Sequence, residues 1–179
     1  MLDYFSDIAT KRWDELNERV KQEIENMLLS QKGFYTYRAL ECESPIEQLL
    51  LVRLIGWCEY SPGEFRSFDS NADVKLSTQK EVEYRGNKYR IDIAIEVNFM
   101  SKTHLFAIEC DGHEFHEKTK EQAFRDKKKQ RDLTALGFHV IRFTGSEIWK
   151  NPSKAAREVI HLVEEITGYS DCLQKLVEE

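Results

Sequence analysis

Residues 103–118, THLFAIECDGHEFHEK, pass from a buried strand into a cluster of reactive side chains. Leu105-Phe106-Ala107-Ile108 is a short apolar run of the kind a covered sheet requires. Glu109, Asp111, His113 and His116 follow within eight positions, around Gly112. Side chains alternate along a strand, so Glu109 and Asp111 share a face while Cys110 joins Phe106 and Ile108 on the other. Cys110 therefore reads as core, and a zinc site made of Cys110, His113 and His116 is geometrically awkward.

Upstream, DVKLSTQKEVEYRGNKYRIDIAIEV predicts a hairpin turning through Arg85-Gly86-Asn87. Its second arm places Ile91, Ile93 and Ile95 on one face and Asp92, Ala94 and Glu96 on the other. Downstream, a helix is expected from about Phe115 to Leu136, stopped by Gly137, and FHVIRFT reads as a further strand. NPSKAAREVIHLVEEITG predicts a closing helix with Asn151 or Ser153 as its cap and Gly168 as its stop. Ahead of the strands, SPIEQLLLVRLIGW is a helix announced by Ser44 as N-cap, Pro45 in the first turn and Glu47 completing a capping box. Residues 11–30 carry Trp13, Leu16, Val20, Ile24, Met27 and Leu28 at helical spacing, ending near Gly33. The order of helix, three strands, helix, strand, helix defines an α/β fold with helices packed on a mixed sheet.

The 179 residues suit one compact domain: a helical extension over 1–40, a core over 41–150 and a helical segment over 151–179. Apolar residues at 41% and charged residues at 32% argue against a disordered or membrane chain, and no run is long enough to span a bilayer. The N-terminus shows no secretion signal, and Cys42, Cys58, Cys110 and Cys172 form no CxxC pair, so a cytoplasmic protein with thiols is expected. The net charge of −6 speaks against a general nucleic-acid coat. Between Phe115 and Arg131, however, seven Lys or Arg stand against three Asp or Glu, a focused basic patch that can guide a polyanion.

If the strand holding Asp92 lies beside the 104–111 strand, Asp92, Glu109 and Asp111 converge on one sheet surface. Carboxylates held together repel one another unless a cation neutralises them. Oxygen ligands favour Mg²⁺ or Mn²⁺, and such a cation can activate water against a phosphodiester.

Asp92 on one strand and Glu109-Cys110-Asp111 on the next resemble the split motif of the PD-(D/E)xK nuclease superfamily, and the element order resembles its restriction-endonuclease-like core. SPIEQLLL, YRIDIAI, IECDGHEFH and KQRDLTALGFHVIRFTGSEI together resemble the branch of the very-short-patch-repair (Vsr-like) endonucleases, over about residues 44–150. The resemblance implies a Mg²⁺-dependent endonuclease acting on DNA ahead of RNA, leaving a 5′-phosphate and a 3′-hydroxyl. Asp92 and Glu109 are then the central metal ligands, the Cys110 backbone carbonyl is a further ligand, and Glu47 matches an acidic residue directed at the metal.

Asp111 stands where the common motif has lysine. His113 or His116 can supply acid/base chemistry in its place. So can Lys127, which shares a helical face with Ala123, Gln130 and Thr134, all within about 60° on a wheel of 100° per residue. Lys118, Lys120, Lys127, Lys128, Lys129, Gln130 and Arg131 are the expected nucleic-acid contacts. Two rivals follow from the same residues: a catalytically degenerate nuclease fold that only binds nucleic acid or regulates, and a zinc hydrolase built on His113 and His116. Monomer and homodimer are both open, a monomer implying nicking of one strand.

Overall fold

The structure, a computed structural model, describes residues 16–58, 73–112 and 120–168. The chain divides into two compact units, Met1–Arg38 and Ala39–Glu179. In the first, α1 runs Glu18–Ala39. It continues through Gly33, where the hydrophobic spacing predicts an end. A glycine inside a helix costs about 1 kcal/mol relative to alanine, but it stops one only where it takes up a positive φ. Gly86, Gly137 and Gly168 are the glycines that do so among the described residues.

The second unit is built on one four-stranded sheet in the order β1-β2-β3-β4. β1 (Asp73–Tyr84), β2 (Asn87–Phe99) and β3 (Lys102–Asp111) are antiparallel neighbours, and β4 (Phe138–Thr144) lies parallel to β3. The β1–β2 turn uses Arg85 at φ 49° and Gly86 at φ 75°. Two successive positive φ values let a two-residue loop follow the twist of its strands. Met100 and Ser101 make the β2–β3 turn the same way, at φ 48° and 61°, without a glycine to mark it. Parallel strands need a crossover, and α3 (Lys120–Ala135) supplies it between β3 and β4.

α2 (Pro45–Cys58), α4 (Gly145–Lys150) and α5 (Pro152–Thr167) pack on one another, and α2 also meets β1 and β2. The short α4 is an element that the sequence pattern does not predict; Thr144 caps it, with Glu147 closing the box. Asn151 is the α5 cap, its side chain accepting from Lys154 N at 2.9 Å, and Gly168 ends that helix at φ 70°. α3 covers the opposite face, where Leu133 joins Ala94, Ala107 and Phe138 in a buried cluster. Among the described residues no helix is long and apolar enough to cross a membrane.

One strand departs from strict alternation. Ile91, expected beside Ile93 and Ile95, belongs to the Ala94–Leu133 cluster instead. The cause lies opposite, in β1. Gln79 has φ 50°, and the β1–β2 register passes from Thr78–Ile93 to Lys80–Ile91 without pairing Gln79 to Asp92. A residue in that conformation turns the pleat, and the face that each neighbour presents turns with it. The break falls at Asp92.

Candidate active site

The β2–β3 ladder ends at Ile93–Ile108, so Asp92 and Glu109 stand just beyond its last rung. Their strands hold together there through a side chain. The Cys110 backbone N–H donates to Asp92 Oδ2 at 2.7 Å. This bond favours the ionised Asp92, as does the nearby Lys129, but burial outweighs both and raises its pKa.

Glu109 is 6% exposed, and with Glu47 it is one of two buried charged residues among those described. Burial pushes its pKa up to about 7, with Asp92 adding to the effect and Lys129 and Arg142 opposing it. Its two oxygens differ. Lys129 Nζ donates to Oε2, while Oε1 is buried without a hydrogen-bond partner among the described residues. A buried acceptor left open is costly unless a cation or a donor reaches it.

The lysine at this centre is Lys129 rather than Lys127. Lys129 also donates to the Arg90 carbonyl at 2.5 Å, which ties α3 to β2. The face of α3 that meets the sheet is set by buried Leu133, with half-buried Leu136, Lys129 and Asp126 on the same side. Lys129 lies about 40° from Leu133 on the helical wheel, whereas Lys127 lies about 120° away. Lys127 is exposed, as are Gln130 and Thr134, which share its side of the wheel. The legible signal is the Leu133–Leu136 pair, the aliphatic stripe of a helix otherwise mostly polar.

Asp111, in the motif's lysine position, is held by Arg142 of β4, whose Nε and Nη2 donate to its two oxygens at 3.0 and 2.7 Å. Arg142 is two rungs away, opposite Glu109 in the parallel register, so it shares a sheet face with the residue opposite Asp111. The bonds to Asp111 raise the Arg142 pKa, so this group is a permanent cation beside the carboxylates.

Glu47 enters from the first turn of α2. Ser44 Oγ accepts from the Glu47 backbone N–H at 3.4 Å and donates to the Glu47 carboxylate at 2.5 Å, but that carboxylate takes the Glu43 backbone N–H, at 3.2 Å, in place of the Ser44 one, so half of the expected capping box is made. The same carboxylate accepts from Gln79 Nε2 at 2.7 Å and lies close enough to Asp92 to raise its pKa. Gln79 is a neighbour of the site that sequence reasoning misses, since no sequence rule singles out a glutamine for a left-handed position. Its Oε1 is a second buried oxygen without a hydrogen-bond partner among the described residues.

Cys110 gives the centre its backbone, while burial and the surrounding carboxylates push its thiol far up in pKa and keep it protonated. His113, His116 and Lys118 lie outside the described residues. Lys120, Lys127, Gln130 and Arg131 are exposed on α3, and half-buried Lys128 donates to Asn87 Oδ1 at 2.8 Å. Among the described residues no three His, Cys, Asp or Glu side chains gather closely enough to hold a metal ion alone. The oxygens that could meet a divalent cation here are those of Asp92 and the open oxygen of Glu109, hard donors of the kind that suit an ion keeping several waters.

A mixed sheet with helices on both faces, and an aspartate and a glutamate at the divergence of two central strands, defines a fold of restriction-endonuclease type. The chain belongs to the restriction-endonuclease-like family described as REase_MTES_1575, whose match spans residues 72–163, just over half of the sequence. Its class is therefore that of the restriction-endonuclease-type nucleases. No curated protein and no solved structure matches the chain significantly.

Proposed function

We propose that this protein is a cytoplasmic, divalent-metal-dependent DNA endonuclease that nicks one strand, in or near the very-short-patch-repair-like branch that its motifs resemble. The observation that carries the proposal is the grouping of Asp92, Glu109 and Lys129, with one Glu109 oxygen buried and open. Asp92, Glu109 and the Cys110 carbonyl would hold Mg²⁺, or Mn²⁺ in its place. The bound ion lowers the pKa of water and offsets charge on the phosphate under attack.

The chain's own residues supply the rest. Lys129 replaces the missing strand lysine from the neighbouring helix, placing a cation within hydrogen-bond reach of Glu109 and beside the attacked phosphate. Arg142 fixes Asp111 and adds a second positive charge on the same sheet surface. Asp111 thus serves as an anchor for Arg142 rather than as an acid/base group. Glu47, held by Ser44 and Gln79, adds a further carboxylate near Asp92. His113 and His116 remain candidates for delivering a proton to the leaving 3′ oxygen.

The test is nicking of supercoiled plasmid with Mg²⁺, with Mn²⁺ and with chelator. Cleavage is expected with metal only, and Asp92→Ala and Glu109→Ala should abolish it while keeping the wild-type circular dichroism spectrum. Binding without cleavage in every metal, and on mismatched, flapped and branched DNA, would instead identify a degenerate nuclease fold that only binds.

A further inference from the structure

Beside the carboxylates, the β1–β2 hairpin and α3 enclose an open groove of about 510 Å³. Asn87, Lys88 and Tyr89 line its hairpin wall, and Arg125, Lys128 and Lys129 its helix wall. The walls are pinned to each other at three points. Lys128 donates to Asn87 Oδ1, Tyr89 Oη to Asp132 and Lys129 to the Arg90 carbonyl. These three side-chain contacts hold the helix wall against the hairpin wall.

Its charge is unbalanced in one direction. Lys88 and Arg125 are exposed and, among the described residues, neither has an acidic partner. The acid in the groove, Asp126, lies 4.0 Å from Arg142 and so is partly offset already. The chain as a whole carries −6, so this strip of cations is a local exception that attracts and orients a polyanion. Lys129 belongs to the groove and to the centre at once, since the same ammonium that lines the wall reaches Glu109.

We propose that this groove carries the phosphodiester backbone of the strand being cut, leading it from the Asp92–Glu109 centre along the hairpin, with Lys88 and Arg125 as phosphate contacts. The proposal rests on taking that centre as the place of cleavage. Phosphate is the shared chemistry, so DNA and RNA both fit the groove, and separate arms of the experiment distinguish them.

The experiment measures binding of the full chain to labelled DNA and RNA duplexes and single strands by fluorescence anisotropy, in chelator, over a range of salt. Lys88→Ser/Arg125→Ser should weaken binding about tenfold or more and reduce the slope of log affinity against log salt by roughly 2, since each cation removed leaves one phosphate unneutralised. Lys75→Ser/Lys154→Ser changes net charge equally at exposed positions outside the groove and should change neither quantity. A groove variant that binds like this control overturns the proposal, as does a wild-type chain that binds no nucleic acid. A wild type that binds RNA alone, with the loss confined to the groove variant, supports the groove and names RNA as its occupant. Loss of binding in the groove variant, with a wild type that cleaves in no metal, keeps the groove and removes the nuclease assignment. Unchanged binding in a wild type that cleaves does the reverse.

Discussion

Glu109 keeps a carboxyl group where ionisation is unfavourable, against Asp92 and almost out of water. Its pKa in the fold, about 7, lies above the ordinary 4.5. For an acid raised in this way the stabilising contribution is complete below the ordinary value and is lost as pH rises through the folded one. Metal-free protein should therefore lose stability between about pH 4.5 and 7, by on the order of 3 kcal/mol from this group. Glu109→Gln removes that dependence. Thermal melts in chelator should show the variant gaining on wild type as pH rises, and parallel curves across that range would exclude a buried ionising Glu109. Lys129→Ala takes away the main opposing charge, so cleavage should fall roughly 10²-fold or more, whereas Lys127→Ala should stay close to wild type. Single-turnover rates on a nicking substrate separate the two, and equal losses would return the role to the exposed lysine.

At the scale of elements, β4 reaches the centre through Arg142, which pairs with Asp111. Arg142→Met leaves half-buried Asp111 without its two best donors, which should cost about 1–3 kcal/mol in urea unfolding. Asp111→Asn/Arg142→Met should recover part of that loss, because no charge is then left unmatched; a double variant as weak as the sum of the singles would show that the pair does not couple. The same pair marks where the sequence stops being readable. Alternation along single strands brings Asp92 and Glu109 to neighbouring strands, where their ladder ends, and local chemistry announces the Arg85-Gly86 turn, the Asn151 cap and the Gly168 stop. Asp111 reads as a catalytic group from its own strand, since the arginine that holds it is 31 positions away on another. Spacing alone gives the inward face of α3 to Lys127, in company with Gln130 and Thr134, although Leu133 and Leu136 bury the other side. Gln79 and the Met100-Ser101 turn are invisible for a third reason. Their left-handed conformations are imposed by the strands they lie in or connect, against the preference of the residues themselves.

For the molecule as a whole, the division at residue 38 places every described residue of the centre in one unit. Ala39–Glu179 contains all four strands, both carboxylates, Lys129, Arg142 and both walls of the groove. The buried side chains of the described core belong to this unit too, from Cys42 to Val163. By contrast, α1 exposes Leu28, Leu29 and Tyr37, at 58%, 69% and 67%. A unit that owns its core and its boundary can fold alone. A chain beginning at Ala39 should accordingly unfold in a single cooperative transition and keep metal-dependent nicking within roughly an order of magnitude of the full chain, since no group assigned to cleavage has been removed. Denaturant melts and plasmid nicking on the truncated chain decide this. A truncated chain that folds yet cleaves far more slowly would place a contribution to cleavage in residues 1–38.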